Sequence, residues 1–148
     1  MKPAPVPIGY KVDLDLIDYQ TAWAIQQHLA DDRATNRIPD TLLLLEHPPT
    51  YTLGRSGKRE HLLLSQEECQ ARGIVVLDVN RGGDITFHGT GQLVAYPIRF
   101  LGLTDASGRL MQADYVGYVR SLEDVLIKTI AEFGIVGRRE SIWKKETQ

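Results

Sequence analysis

The sequence predicts an α+β fold in which helices pack on a mixed, mostly antiparallel sheet. Short strand-like segments are interspersed with helical ones, and the strand-like segments between residues 74 and 96 follow one another without a helix. The regular strand–helix alternation that predicts a parallel sheet is missing. With 148 residues the chain has the length of one domain. We expect this domain at residues 11–148, after an extended proline-rich arm at residues 1–10.

The first half of the chain contains three predicted strands and one helix. Residues 11–16 alternate between charged and apolar side chains, which is the period of a half-buried strand. Asp18 is a typical helix N-cap, and residues at helical spacing continue from 19 to 29. The short apolar segment 41–45 predicts a buried strand, and the β-prone residues 50–53 predict another.

The middle of the chain contains a short helix and a strand. Ser65 followed by Glu68 forms a capping box, which predicts the start of the helix. Gly73 is well placed to end it. Residues 74–77 are apolar and predict a further buried strand.

Two more strands and a long helix complete the prediction. Residues 85–88 and 92–96 predict strands with glycine turns beside them, and Pro97 closes the second strand. The long helix covers about residues 113–133 and has one apolar face. The segment 134–136 begins with a glycine that ends this helix, and its last two residues open another strand.

Composition excludes several classes of function. The formal net charge of -2 gives no basis for a nucleic-acid or membrane-surface role. The amino-terminal residues lack the apolar core of a secretory signal, and no segment approaches the roughly 20 apolar residues that span a bilayer. Cys69 is the only cysteine and forms no internal disulfide. We therefore expect a cytoplasmic protein, and the spacing of its four histidines does not suggest a metal site.

The most unusual segment, residues 81–92, contains four glycines, an arginine, a histidine and a glutamine. Glycine lets the backbone approach a ligand closely, and free N–H groups at adjacent turns bind polar or anionic groups. Arg81 is suited to hydrogen-bond such a group, and His88 to donate or accept a proton. The alternative is structural: the glycines make two tight turns, Asp84 caps a turn, and His88 is satisfied within the fold. The residues alone leave both interpretations open.

The segment 81–92, Arg-Gly-Gly-Asp-Ile-Thr-Phe-His-Gly-Thr-Gly-Gln, is similar to the signature of the lipoyl/octanoyl transferase family. It departs from the family pattern at Thr90, where proline is more usual, and at Phe87, where tyrosine is frequent. Further blocks resemble the family in the same order, at residues 18–23, 39–49, 51–55, 92–98 and 137–140. The resemblance covers nearly the whole chain, from about residue 14 to residue 140.

The resemblance implies the catalytic-domain fold shared by biotin and lipoate protein ligases. It also implies transfer of an octanoyl group from acyl carrier protein to a lysine of lipoyl domains, in 2-oxoacid dehydrogenase and glycine cleavage proteins, without a cofactor. In the family a cysteine thiolate takes the acyl group, and a nearby lysine lowers the pKa of that cysteine. By position in the signature, the expected substrate-binding residues are Arg81, Gly82, Gly83, Asp84, Ile85, Thr86, Phe87 and His88.

The catalytic residues of the family have no counterpart that the sequence identifies. In the family both follow the Arg-Arg-Glu motif, here residues 138–140, after which this chain has eight residues. Lys144 and Lys145 come too early, and carboxylates beside Cys69 disfavour its thiolate, so we expect a semi-buried or surface cysteine. We expect a truncated domain that is inactive alone, with an unpaired sheet edge and an uncovered apolar face.

Two alternatives to the transferase remain. One is a binding module for acyl carrier protein or lipoyl domains that performs no catalysis. The other is an ATP-dependent lipoate or biotin ligase, although such ligases usually have asparagine at the position of Gln92. His47 is interpreted as a polar residue at a strand end rather than a metal ligand. The segment 138–140 is interpreted as a solvated or ion-paired loop.

Overall fold

The computed structural model of the chain describes residues 9–102 and 114–139. They belong to two compact units, Met1–Phe100 and Leu101–Gln148. The predicted arm lies outside the described residues up to residue 8, and the first strand begins at residue 10. In chain order the elements are β1 (Tyr10–Leu16), α1 (Tyr19–Ala34), β2 (Thr41–Glu46), β3 (Thr50–Leu53), a 3₁₀ turn (Arg59–His61), α2 (Gln66–Ala71), β4 (Val75–Asp78), β5 (Ile85–His88), β6 (Val94–Ile98) and α3 (Tyr115–Ala131).

The first unit contains two three-stranded sheets. Their strand orders are β1-β2-β6 and β4-β3-β5. β2 pairs parallel to β1 and antiparallel to β6, while β3 pairs parallel to β4 and antiparallel to β5. The predicted α+β fold with mixed strand pairing is confirmed. Parallel pairs are as frequent as antiparallel ones among the strands of the described residues.

β5 and β6 follow each other in sequence but belong to different sheets. β5 pairs with β3, and β6 pairs with β2. The glycine-containing segment 89–91 therefore carries the chain from one sheet to the other and does not close a hairpin. Gly91 has a φ of 86°, a left-handed conformation that favours glycine.

α1 begins where the sequence predicts and ends later. Asp18 accepts a hydrogen bond from the backbone N of Thr21 at 2.9 Å, so it is the N-cap. The helix continues to Ala34, five residues beyond the last predicted position. Its final turn is fixed by Arg33, whose Nε lies 2.6 Å from Oδ1 of Asp40.

β2 is buried on one face only. Leu43 and Leu45 are fully buried, whereas Leu42 is 37% exposed, although β2 is the central strand of its sheet. Side chains alternate across a strand, and only one side of β2 faces the interior of the first unit. The short apolar segment had predicted burial on both sides.

Two further strands differ from the prediction because they lie at sheet edges in the described residues. Pro97 lies inside β6, opposite Leu42, and does not end the strand. Proline is tolerated there because an edge strand leaves one side of its backbone without ladder hydrogen bonds. β4 was predicted to be buried, yet Val75 is 48% exposed at the edge of the other sheet.

The capping box of α2 is confirmed. The backbone N of Glu68 donates to Oγ of Ser65 at 3.2 Å, and the backbone N of Ser65 donates to Oε2 of Glu68 at 2.7 Å. Gly73 follows the helix with a φ of 66°. This left-handed conformation ends the helix as predicted.

Replacement of Ser65 by alanine is expected to lower the free energy of unfolding by about 1 kcal/mol, because the first turn of α2 loses a side-chain acceptor. Urea unfolding followed by circular dichroism measures the change. Ser65→Asp retains an acceptor and should keep most of the stability. Equal losses in both variants would show that the hydroxyl does not act as a cap.

The second unit contains α3, which begins at its N-cap Asp114 and ends before Gly134. Oδ1 of Asp114 accepts from the backbone N of Gly117 at 2.7 Å. Within the described residues no position of α3 is buried. Its predicted apolar face is at least half exposed at Tyr115, Val119, Leu126 and Phe133. No helix in the described ranges has the length and apolar character that crossing a membrane requires.

The segment after α3 turns back along the helix and is not the predicted strand. The backbone N of Ile135 donates to the carbonyl of Ile130 at 3.1 Å. Arg139 then pairs with Glu123 at 2.8 Å and with Asp124 at 2.6 Å. The prediction of an ion-paired loop is therefore confirmed for Arg139.

Candidate functional site

The glycine-rich loop between β4 and β5 is fixed by the backbone that follows β3. The backbone N of Gly54 donates to the carbonyl of Asp84 at 3.0 Å. Arg55 N donates to the carbonyl of Arg81 at 2.8 Å, and Ser56 N to that of Gly83 at 3.1 Å. These three bonds hold residues 81–84 against the end of the central strand of their sheet.

The side chain of Arg81 turns back into this loop. Its Nη2 donates to the carbonyl of Asp84 at 2.9 Å and to both the carbonyl and Oγ1 of Thr52, at 3.2 and 3.3 Å. Its Nη1 donates to the carbonyl of Gly82 at 2.7 Å. Nε is buried and has no hydrogen-bond partner among the described residues. One N–H of the guanidinium is therefore left for a ligand acceptor.

Three aromatic rings meet beside this arginine. The ring centroids of Tyr19 and His47 are 5.2 Å apart, and those of His47 and His88 are 5.3 Å apart in an edge-to-face arrangement. Tyr19 and His88 are separated by 5.8 Å. α1, the end of β2 and the end of β5 each contribute one ring, so the cluster forms only when both sheets and the helix assemble.

His88 is held in its neutral form. Burial lowers the pKa of His88, electrostatic interactions with His47 and Arg81 lower it further, and a hydrogen bond with the side chain of Gln92 opposes them. Its Nδ1 is buried without a partner in the described part of the chain. A neutral imidazole with one unengaged nitrogen is able to donate to or accept from a bound substrate.

Tyr19 and Tyr96 keep their phenol protons. Burial raises the pKa of Tyr19, against the influence of Arg81. Burial, with a smaller contribution from Tyr19, raises the pKa of Tyr96 to about 12. Both hydroxyls are therefore available as hydrogen-bond donors at neutral pH.

The structure divides the eight predicted substrate-binding residues among the two faces of β5 and the loop before it. His88 pairs with the buried Thr50, and Thr86 pairs with the buried Thr52, so both belong to the face that meets the aromatic cluster. Phe87 belongs to the other face, where its ring lies 5.0 Å from that of Tyr51. Ile85 alternates with Thr86 and shares the face of Phe87. Gly82, Gly83 and Asp84 lie in the exposed loop with Arg81.

A groove of about 350 Å³ lies between α1 and β4, next to the aromatic cluster. Two of its polar side chains, Asp78 and Asn80, belong to the residues that lead into the loop at Arg81. Its lining residues are Tyr19, Gln20, Trp23, Leu77, Asp78, Val79 and Asn80. The volume lies within the range of small-molecule sites.

Asp84 was a predicted substrate-binding residue, and its carboxylate pairs with His61 at 2.5 Å. Burial opposes ionisation, but the hydrogen bond and charge of His61 hold the pKa of Asp84 below its ordinary value. On the same strand–loop segment, Asp78 pairs with Arg59 at 2.6 Å. Two ion pairs therefore fasten the 3₁₀ turn to both ends of the glycine-rich loop.

Replacement of His61 by alanine is expected to raise the pKa of Asp84. Because the folded-state pKa is depressed, the pair stabilises the fold above the unfolded carboxyl pKa of about 3.9, and this contribution is lost as pH falls through the folded value. Carboxyl-carbon NMR titration measures the pKa, and urea unfolding at pH 6 and pH 3 measures the loss. His28→Ala, which removes an exposed histidine paired with Asp32, should leave the pKa of Asp84 unchanged. The same shift in both variants would contradict the assignment.

Cys69 lies on the opposite side of this sheet from His88. It is 1% exposed and lines a cavity of about 620 Å³ that also contacts Val76. Val76 pairs with Tyr51, on the face away from the aromatic cluster. The sequence had predicted a semi-buried or surface cysteine, and burial is complete because this position of α2 faces β4. Within the described residues, no group of three or more His, Cys, Asp or Glu is placed to hold a metal ion.

Sequence reasoning missed the contribution of Tyr19, His47 and Tyr96 to the site. Tyr19 was predicted only as a helix position, and Tyr96 only as part of a strand. His47 was interpreted as a polar residue at a strand end, which is where it lies. A histidine directly after a buried strand and before two prolines was the signal available, but no spacing links it to His88, 41 residues later.

A family model matches most of the chain. The model described as "Lipoyl protein ligase A/B catalytic domain" matches residues 18–145. An octanoyltransferase of Chloroflexus aggregans is 47% identical over 123 residues, which are 83% of this chain and 52% of that protein. An octanoyltransferase of Geobacter metallireducens is 49% identical over 128 residues, covering 86% and 54%. The chain thus spans about half the length of these curated relatives.

Solved structures show the same fold at low identity. A bi-partite lipoate protein ligase from Thermoplasma acidophilum, studied with its E2 lipoyl domain, aligns with a TM-score of 0.60 and 17% identity over 92% of this chain and 49% of that one. A lipoate-protein ligase A bound with ATP aligns with a TM-score of 0.58 and 16% identity over 90% and 50%. These similarities confirm the predicted ligase-like α+β fold.

Proposed function

The chain belongs to the lipoyl protein ligase A/B catalytic domain family, and we propose that it forms the acyl-binding part of an octanoyltransferase. The reaction moves an octanoyl group from the thioester of acyl carrier protein to the amine of a lysine on a lipoyl domain. Support comes from the octanoyltransferases that are 47% and 49% identical to it. We place this activity in the cytoplasm, in keeping with the unpaired Cys69.

The observation that carries this proposal is a pair of buried nitrogens, Nε of Arg81 and Nδ1 of His88, that have no partner in residues 9–102 and 114–139. A buried polar atom without a partner in the folded chain points to a ligand group. The carbonyl oxygen of a thioester is a suitable acceptor, and it gains negative charge when the carbonyl is attacked. The Nε–H of Arg81 is a fixed donor that stabilises the tetrahedral intermediate at that oxygen, and Nδ1 of His88 adds a second donor in the tautomer that protonates it.

The acyl chain is proposed to lie in the groove between α1 and β4. Trp23 and Leu77 supply its apolar surface, and Tyr19 connects it with His88. The eight residues from Arg81 to His88 then act unequally. Arg81, Thr86 and His88 face the substrate, the glycines and Asp84 shape the loop, and Ile85 and Phe87 support the sheet from behind.

The proposed partners are octanoyl-acyl carrier protein and the lipoyl domains of 2-oxoacid dehydrogenase and glycine cleavage proteins. Arg55 and Lys58 are exposed on the loop that holds the glycine-rich segment. Cations at this position favour an acidic carrier. The structural relative from Thermoplasma acidophilum is described with an E2 lipoyl domain, which supports a lipoyl-domain acceptor.

A second candidate function is a binding module that holds the octanoyl thioester without transferring the acyl group. The observation that favours it is the position of Cys69, the only cysteine of the chain. A covalent acyl-enzyme needs an accessible thiolate near the carbonyl. Cys69 is buried behind the sheet, so we expect this chain alone to bind the donor and not to acylate an acceptor lysine.

Isothermal titration with S-octanoyl-N-acetylcysteamine, a small octanoyl thioester, tests binding. Mass spectrometry of a lipoyl domain incubated with the protein and octanoyl-acyl carrier protein tests transfer. Neither experiment contains ATP. We expect binding without acylation of the lipoyl lysine. Absence of binding would refute the acyl site, and rapid acylation would refute the binding-module candidate. Formation of octanoyl-adenylate from octanoate and ATP would instead identify a ligase.

A further inference from the structure

A directed chain of hydrogen bonds runs behind His88. Nδ1 of the fully buried His47 lies 2.8 Å from the carbonyl of Ile17. A carbonyl only accepts, so Nδ1 carries the proton. Nε2 lies 3.2 Å from the hydroxyl of Tyr96. In the neutral tautomer that the bond to Ile17 selects, Nε2 has no proton and accepts from Tyr96.

A residue of α1 supports the other end of this chain. The side chain of Gln26 hydrogen-bonds the hydroxyl of Tyr96 and acts to lower its pKa. Nε2 of Gln26 also donates to the carbonyl of Ala22 in α1 at 3.2 Å. Tyr96 retains its proton, since burial dominates its pKa. The ring of His47 is therefore anchored at both nitrogens.

We propose that His47 and Tyr96 are positioning residues, which fix the ring of His88 at the angle that the acyl site requires. The edge-to-face contact of His47 with His88, at 5.3 Å and 82°, transmits this constraint. Neither residue needs to touch the substrate. This inference rests on the proposed function, because the proposed function supplies the substrate that His88 contacts.

The test compares Tyr96→Phe, which removes only the hydroxyl, with a control, Tyr51→Phe. Tyr51 lies in β3, on the face that points away from the aromatic cluster. Long-range proton–nitrogen NMR reads the tautomer of His47, and nuclear Overhauser spectra read its contact with His88. Titration with S-octanoyl-N-acetylcysteamine gives Kd. Melting temperature and amide spectra verify folding. Should Tyr96→Phe fail to fold, Gln26→Met removes the amide that hydrogen-bonds Tyr96 and leaves the hydroxyl in place.

We expect wild-type His47 to carry its proton on Nδ1. In Tyr96→Phe the His47–His88 cross-peaks should weaken and Kd should rise about fivefold, the usual effect of one hydrogen bond. Tyr51→Phe should change neither. The inference is overturned if wild-type His47 is protonated on Nε2 alone, or if the His88 signals of Tyr96→Phe match wild type. Failure of the wild-type protein to bind the thioester refutes the proposed function, and the cross-peaks still decide the role of His47.

Discussion

Gly54→Ala is expected to lower the free energy of unfolding by about 3 kcal/mol, because the new methyl group has no space. A Cβ at this position lies 2.9 Å from the carbonyl oxygen of Arg81, 3.0 Å from that of Gly82, and closer still to that of Gly83. All three neighbours are backbone atoms, so no side chain can turn aside. The fold must either displace the glycine-rich loop or lose the hydrogen bonds that attach it.

Gly82→Ala is the matched control for this prediction. It adds the same methyl group in the same loop, where a Cβ meets no atom within 4 Å. Urea unfolding of both variants gives the two free energies, and amide exchange at residues 54–56 reports on loop attachment. The control should remain close to wild type. Similar free energies of unfolding in the two variants would show that the loop can move away from the new methyl group without loss of stability.

Arg81→Lys is expected to weaken binding of the octanoyl thioester at least tenfold and to lower the free energy of unfolding by about 2 kcal/mol. The guanidinium bonds Thr52, Gly82 and Asp84 at once and has a further N–H at Nε. An ammonium group keeps the charge but cannot reproduce this planar fork. A hydrogen bond from a charged donor contributes about 1.5–3 kcal/mol, so the expected loss corresponds to about one such bond.

The control for the arginine prediction is Arg59→Lys. Arg59 lies beside the same loop and pairs with the carboxylate of Asp78, but both side chains are more than 60% exposed. Exposed pairs of this kind contribute little. Calorimetric titration and urea unfolding should therefore separate the two substitutions. If Arg81→Lys binds the thioester as wild type does, the arginine contributes charge alone and Nε has no part in recognition.

Local signals in the sequence predicted most of the elements correctly. The caps at Asp18 and Ser65 and the stop at Gly73 depend on residues within one turn of each other, so short segments contain the necessary information. Strand partners depend on distant segments, and this is why the separate sheets of β5 and β6 were not predicted. Pro97 was misinterpreted for the same reason, since only the sheet shows that β6 is an edge strand.

The candidate site was predictable in one part and not in the other. Arg81 and His88 lie in one glycine-rich segment whose composition is unusual, and the sequence identified both. The opposing faces of Phe87 and His88 follow from strand alternation once β5 is known. The roles of Tyr19, His47 and Tyr96 come from packing among α1, β2 and β6. No spacing in the sequence predicts that these side chains contact one another.

The buried thiol of Cys69 can report on transient separation of α2 from the sheet. A sulfur that is 1% exposed reacts with an alkylating reagent only when α2 separates from the sheet. The rate of labelling therefore measures how often that separation occurs under native conditions. Slow labelling in a protein that still binds its ligand would indicate that this end of the molecule stays closed while the other exchanges substrate.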